Sequence, residues 1–397
     1  MFLSNIAMNY QFDKKSIEFQ KNVSKDERFS LGIFFTPKYI RDFIFKTLKE
    51  LKTSSPTTIL EPTCGSGEFL VDCEKLYPNA SIIGVEIDSR SADIANSLTF
   101  KSKIIEHDFM EWSSDQKFDL IIGNPPFVVR PPGFKHDPSI VTCRSNLCVE
   151  VVYKCITRHL SSRGVLAMVL PVSILKSSFY KPTLDLIINT TAIEAMKTFA
   201  NSKFLGTNVS VIVLILRLKD VKCDSKANPY IFKSDDMVVI NQHAEELMKI
   251  SKGKKLLKSF DVKISFGVSS HNIKEFLINT RTDNSFPLIT HKYITKKNHE
   301  TQYVCNTCPK KRWQGRGLFI ARGYGHGDYV FRFIDEKFDE YMIENHVIAI
   351  TGPDDILDII SKSFQDPRTR EFCKLLCTSG DISKTYVNHI PIFEYQT

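Results

Sequence analysis

The chain has 397 residues, 42% of them hydrophobic and 25% charged, which excludes an intrinsically disordered polymer and leaves room for one large domain and a second. The net charge of +8 is unevenly spread: Lys249 to Arg322 carries sixteen Lys and Arg against four Asp and Glu, a local +12, so the rest is mildly acidic. A basic segment on an acidic body is the electrostatic footprint of nucleic-acid binding, with a solvated basic face as the plain alternative.

Ten cysteines are scattered without a framework, several in apolar contexts (Cys73, Cys155, Cys373), which suits a reducing, intracellular compartment. The first residues soon become polar and do not resemble a signal peptide. The longest apolar run, Val209 to Leu216, is too short to span a bilayer. A soluble intracellular protein is expected.

Residues 1–30 are polar and mixed, and are expected to form a partly ordered arm. Thr36 then reads as an N-cap with Pro37 at the first helical position, and Ile40, Phe43, Ile44, Leu48 and Leu51 recur at helical spacing. Strands are predicted over 57–61, 81–86, 103–105 and 118–122, with helices over 68–76 and 89–97 between them. A helix over 147–160, a strand over 165–170, part of a helix over 184–188 and strands over 192–198 and 209–216 complete the pattern. The alternation predicts an α/β, doubly wound, mostly parallel sheet over residues 31–220. Its last two strands lack room for a helix between them, so they are predicted to be antiparallel neighbours. Residues 222–229 read as a linker. From about 230 to 397 the alternation stops, and a second, mixed α+β domain is predicted.

Three stretches carry chemistry. Ile59 to Leu70 is a strand, a glycine turn and a helix start, and Gly65 and Gly67 let the backbone approach a ligand at a helix N-terminus. Glu86 follows Gly67 by 19 residues, where a carboxylate accepts from a ribose diol. A dinucleotide would want a third glycine where Leu70 stands. The acidic Glu61 ahead of the glycines favours a ligand with an ammonium group, such as S-adenosylmethionine. Asp108 and Phe109, after the third strand, can take an adenine amine and stack on its ring. The third stretch is Asn124-Pro125-Pro126-Phe127. Asn124 precedes a proline and is biased to extended backbone, and the two prolines stiffen the chain beyond it. An amide and an aromatic ring are thereby held at the carboxyl end of a strand, where open α/β sheets bind ligands; the plain alternative is a strand-ending turn.

Taken in order, Phe35-Thr36-Pro37, Glu61-Pro62, Cys64-Gly65, Gly67, Phe69, Glu86, Asp108-Phe109 and Asn124 to Phe127 closely resemble the γ-class DNA adenine-N6 methyltransferases of restriction-modification systems, over about residues 30–217. The resemblance implies a Rossmann-like S-adenosylmethionine-dependent sheet followed by a target-recognition domain. It puts Thr36 on the methionine carboxylate, and Glu61, Thr63, Gly65 and Gly67 around the methionine. Glu86 would hold the ribose, and Asp108 with Phe109 the adenine. Asn124, beside the cofactor, and Pro125 would accept the hydrogens of the target amine. Phe127, where many relatives have Tyr, and Phe204 would flank the extruded base. Duplex DNA is the implied partner, contacted by a monomer that acts separately from any cognate endonuclease.

Candidate DNA contacts are Arg130, Lys135 and Arg144 in a long loop (128–146) expected to order on binding, and Lys310, Lys311, Arg312, Arg316 and Arg322. The last five interleave with Trp313, Tyr324 and Tyr329, although aromatics of a small core would look similar. Cys305 and Cys308 form one CxxC without a second close pair, a weak zinc signal, and no metal is expected. Two other functions compete: methyl transfer to an RNA base or a protein glutamine, which uses the same Asn-Pro-Pro-aromatic corner, and a non-catalytic DNA-binding relative.

Overall fold

The computed structural model describes residues 12–51, 54–175, 177–204, 207–219, 228–296, 301–324, 329–377 and 380–393. The chain divides into two compact units, Met1–Tyr230 and Ile231–Thr397.

The first unit is built on a seven-stranded sheet: β1 (Thr58–Glu61), β2 (Ser81–Glu86), β3 (Lys103–Glu106), β4 (Phe118–Gly123), β5 (Leu160–Pro171), β6 (Thr191–Phe204) and β7 (Thr207–Leu218). Their spatial order is β3-β2-β1-β4-β5-β7-β6. Strands β3 through β5 run parallel, and β7 lies antiparallel to both β5 and β6, as the short connection demands. The strand order reverses between β1 and β4. The crevice at the carboxyl ends of those strands is therefore where a ligand is expected.

Among the described residues seven α-helices accompany the sheet: α1 (Lys14–Asn22), α2 (Lys25–Leu31), α3 (Lys38–Glu50), α4 (Glu68–Leu76), α5 (Ser89–Leu98), α6 (Leu147–Lys154) and α7 (Lys181–Thr190). Ile40, Ile44 and Leu48 of α3 and Phe69, Leu70 and Cys73 of α4 are buried with Ile59, Ile82, Leu120 and Val165 of the strands in one apolar cluster. Truncating such a residue to alanine costs about 2–5 kcal/mol.

Three expectations need correction here. The stretch expected to be an arm holds α1 and α2, capped by Asp13 and Ser24 and closed by Gly32 in the left-handed conformation. Phe12, Ile17, Val23, Ile33 and Phe35 bury a small core beneath them; residues 1–11 lie outside the described chain. Pro37, not Thr36, is the cap residue of α3. The helix predicted over 147–160 ends at Lys154, because a π-helical turn, Cys155–His159, intervenes and β5 already begins at Leu160.

The second unit is mixed α+β. Its main sheet takes the strands Lys263–Phe266, Val347–Thr351, Trp313–Ala321, Phe333–Ile343, Ser285–Ile289, Gln302–Cys305 and Leu277–Ile278 in that spatial order. Pairing is antiparallel except between Ser285–Ile289 and Phe333–Ile343. Helices Ala244–Ser251, Asp354–Gln365 and Pro367–Leu376 share a core with Leu318, Ile320, Ile348 and Ile350. Among the described residues no group of three metal-ligating side chains gathers, and no helix is long and apolar enough to cross a membrane.

Candidate active site

Within the first unit a cavity of about 270 Å³ opens at the switch point. Thr36, Glu61, Thr63, Gly65, Glu86, Asp108, Phe109 and Asn124 all line it, brought from four strand ends and the segment before α3. Gly67, Pro125, Phe127 and Phe204 do not. Gly67 faces α5 instead: a β carbon there would lie 3.1 Å from the Ala95 β carbon, and its φ of +83° favours glycine in any case. Phe204 is 4% exposed, and Phe127 packs against the apolar cluster that contains it. Phe204, expected to flank the extruded base, is a buried ring at the end of β6.

The glycine turn and the ribose carboxylate are joined directly. Gly65, at φ +52°, donates its N–H to Glu86 Oε2 at 2.7 Å, and the N–H of Asp88 reaches Glu86 Oε1 at 2.9 Å. Burial raises the Glu86 pKa, and these N–H groups offset part of that. On the far side, Asp108 accepts from the Met110 N–H at 2.8 Å, fixing a tight turn, and Phe109 is buried beside it.

Glu61 lies at the centre, 3% exposed. Its side chain passes 3.5 Å from where a β carbon would stand on Gly123, so β1 and the Asn124 corner meet here. Burial, then the nearby Glu86, push its pKa well above the ordinary carboxylate range, and Arg41 opposes them. Buried polar atoms normally find a partner, yet Glu61 Oε2, Thr63 Oγ1 and Asn124 Oδ1 have none among the described residues. Three unpartnered oxygens around one cavity are the signature of a polar ligand site.

Glu61 gives a first prediction. A carboxyl with a raised pKa holds its proton more tightly folded than unfolded. Its contribution to stability is therefore complete at low pH and fades as pH rises from the ordinary carboxylate range through the raised value. Thermal melts over a pH series should show the unliganded protein losing stability across that window. Glu61→Gln should flatten the slope, and an unchanged slope would contradict the assignment.

The Asn124 amide has one orientation. Its Nδ2 donates to the Phe34 carbonyl at 2.9 Å, and a flipped amide would set oxygen against oxygen, so Oδ1 must face the cavity. The segment bearing Phe34 is held in turn by Arg41, which is 2% exposed. Its Nη1 donates to the Thr36 carbonyl at 2.7 Å, and its guanidinium pairs with Asp72 at 2.7 Å and Glu68 at 3.3 Å on α4. Sequence reasoning missed Arg41. The signal was its place on the apolar stripe of α3, three and four residues before Ile44 and Phe45, facing an i,i+4 pair of carboxylates.

The expected DNA-contacting cations divide into paired and exposed. Arg130 lines the cavity, makes a bidentate pair with Glu150 (2.6 Å at the closest) and lies 4.6 Å over the Phe134 ring. Its loop is ordered: Val129 bridges to Asn146 and Val141 is fully buried. Lys135 and Arg144 of that loop are exposed.

In the second unit Arg316 is held by Asp335 and Asp358, at 2.8 and 2.7 Å. Arg312 reaches Glu340 at 3.4 Å, and Arg322 reaches Asp381 at 3.6 Å. Lys310 and Lys311 stay exposed. The +12 counted along the chain is therefore partly answered by carboxylates on the neighbouring strand Phe333–Ile343 and beyond. Trp313 stacks on Tyr341 and Tyr329 is buried, both as core, whereas Tyr324 is exposed.

A family model described as N-6 DNA Methylase matches residues 18–301. The type II methyltransferase M.CvrRI of Paramecium bursaria Chlorella virus XZ-6E is 55% identical over 383 residues, covering 96% of this chain and 99% of that protein. The modification methylase CviBIII of Paramecium bursaria Chlorella virus NC1A is 33% identical over 394 residues, with coverage of 96% and 99%. Among solved structures, the type IIL restriction-modification enzyme MmeI in complex with DNA aligns with a TM-score of 0.54 at 12% identity, covering 96% of this chain and 69% of that one; this is a likeness of fold.

Proposed function

The chain belongs to the N-6 DNA methylase family, and from that premise we propose that it is the type II modification enzyme that methylates the N6 amine of an adenine turned out of duplex DNA, using the cavity at the β1–β4 switch point. The observation that carries the reading is Asn124 Oδ1, buried at the cavity and without a partner, while its own Nδ2 is spent on Phe34.

The residues fit S-adenosylmethionine. Glu61, unpartnered at Oε2, suits the ammonium of the methionine part, with Thr63 and the Gly65 backbone beside it. Glu86 suits the ribose hydroxyls, and Asp108 with Phe109 the adenine. When bound, the cofactor supplies a methyl group on a positively charged sulfur. Everything else is done by the chain. The N6 lone pair of adenine is delocalised into the ring and attacks poorly. Asn124 Oδ1 and the Pro125 carbonyl each accept one N6 hydrogen, which favours a pyramidal nitrogen with its lone pair directed at the methyl group. This is positioning by preorganised acceptors and needs no strong general base. Phe127 offers a stacking face for the extruded base, whose unstacking costs a few kcal/mol, and Phe204 packs in the same cluster.

The second unit is read as the target-recognition domain. The exposed Lys310 and Lys311 there, with Lys135 and Arg144 in the first unit, are the cations open to phosphates; Arg130 and Arg316 would have to leave their carboxylates first. The protein would work as a monomer, separately from an endonuclease of the same specificity.

Labelled methyl transfer offered to duplex DNA, RNA and protein, followed by nucleoside digestion, tests the reading. Label is expected in N6-methyladenine from DNA. Label confined to RNA or protein would overturn it.

A further inference from the structure

We infer that Lys154 is a positioning residue for the cofactor's adenine, because its ammonium gathers the backbone carbonyls of the Phe109–Trp112 turn and so fixes Asp108 and Phe109 in the cavity wall. The inference rests on the cofactor reading given above.

Lys154 is the last residue of α6 and does not itself line the cavity. Its Nζ donates to the carbonyl of Phe109 at 2.7 Å, of Met110 at 2.9 Å and of Trp112 at 2.6 Å. A lysine ammonium has three donors and no acceptor, so all three are used on one turn. That turn opens at Asp108, whose carbonyl accepts from the Glu111 and Trp112 N–H groups at 3.0 and 2.8 Å. The next carbonyls have no further helix to bond to. Lys154 takes its place, in the way a cation can at a helix C-terminus. The same ammonium lies 5.0 Å from the Phe109 ring centre, so it also fixes the ring by a cation–π contact.

The π-helical turn after Lys154 completes the support. It places His159 5.2 Å from the Trp112 ring, stacked, and 5.5 Å from Phe109. On a regular α-helix, residues five apart point about 140° away from each other. The wider turn, closed by the Leu160 N–H on the Cys155 carbonyl, brings Lys154 and His159 to the same element. His159 is 1% exposed, and neither ring nitrogen has a hydrogen-bond partner among the described residues. Burial and then the nearby Lys154 push its pKa down to about 4, so it is a neutral aromatic wedge. Asp108 and Phe109 are thus held from behind by a cation and a ring that never reach the cavity.

The test is calorimetric binding of two probes to the full chain. S-adenosylhomocysteine carries the adenine amine, and S-inosylhomocysteine replaces it with a carbonyl. Lys154→Met should weaken S-adenosylhomocysteine by about tenfold, the value of one charge-assisted hydrogen bond. S-inosylhomocysteine should lose less, so the preference for adenine narrows. Lys154→Arg should recover part of it, and kcat at saturating cofactor should stay near wild type. Equal weakening of both probes, or unchanged binding, would overturn the inference. Failure of the wild type to bind S-adenosylhomocysteine would remove the cofactor reading itself, and the inference with it.

Discussion

Asn124→Ala is expected to bind S-adenosylmethionine within a few-fold of wild type and to lose methyl transfer by roughly 10²- to 10³-fold, the usual cost of deleting one preorganised polar group at a reacting centre. The split follows from the contacts of the amide. Its Oδ1 is the acceptor facing the cavity, and its Nδ2 is anchored on Phe34. Asn124→Asp separates the two halves. It keeps an acceptor but sets a carboxylate against the Phe34 carbonyl, so turnover should fall while the anchoring segment loosens. Single-turnover assays with saturating cofactor and duplex DNA, run beside equilibrium cofactor binding, decide the matter. Wild-type-like turnover in Asn124→Ala would dismiss the mechanism.

The second large effect is expected from a steric contact beside the Asn124 corner. Gly32 has φ +68°, and a β carbon there would lie 2.3 Å from the Pro126 β carbon and 2.9 Å from its α carbon. Proline cannot swing aside, so either the segment 30–36 or the Asn-Pro-Pro corner must move. Gly32→Ala should therefore lose most activity and destabilise the unit by more than the roughly 1–3 kcal/mol that a left-handed non-glycine costs by itself. Gly133→Ala supplies the comparison: its φ is +81°, but nothing lies within 4 Å of the added carbon. Melting curves of the two variants isolate the clash. If both melt together, the close approach at Pro126 carries no energetic consequence.

Features legible in the sequence were local or repeated. The strand alternation, the glycine turn after Glu61, and the carboxylates at Glu86 and Asp108 follow from spacing along the chain, and all converge on one cavity. The helices at 14–31 were also spelled out. Ser24 with Glu27 three residues later has the form of a capping box, and Gly32 is a C-terminal stop; polar composition hid them. Charge pairing is hidden where the partner is remote. Arg130 finds Glu150 twenty residues later, and Arg316 finds Asp335 and Asp358. No count along the chain shows which cations are already satisfied. Lys154 leaves no such trace, because it acts on backbone carbonyls, which carry no residue signature.

The bond between Asn124 and the Phe34 carbonyl joins residues 90 positions apart. During synthesis the segment 30–36 therefore leaves the ribosome long before the corner it must orient. Closing so long a loop carries an entropic cost that grows only slowly with length, but it cannot be met until β1 and β4 have paired. Chemical competence should consequently be a late event in folding. A nascent chain would carry β1 to β4 before the corner exists, and would gain the ability to modify DNA only when the two ends of that contact meet.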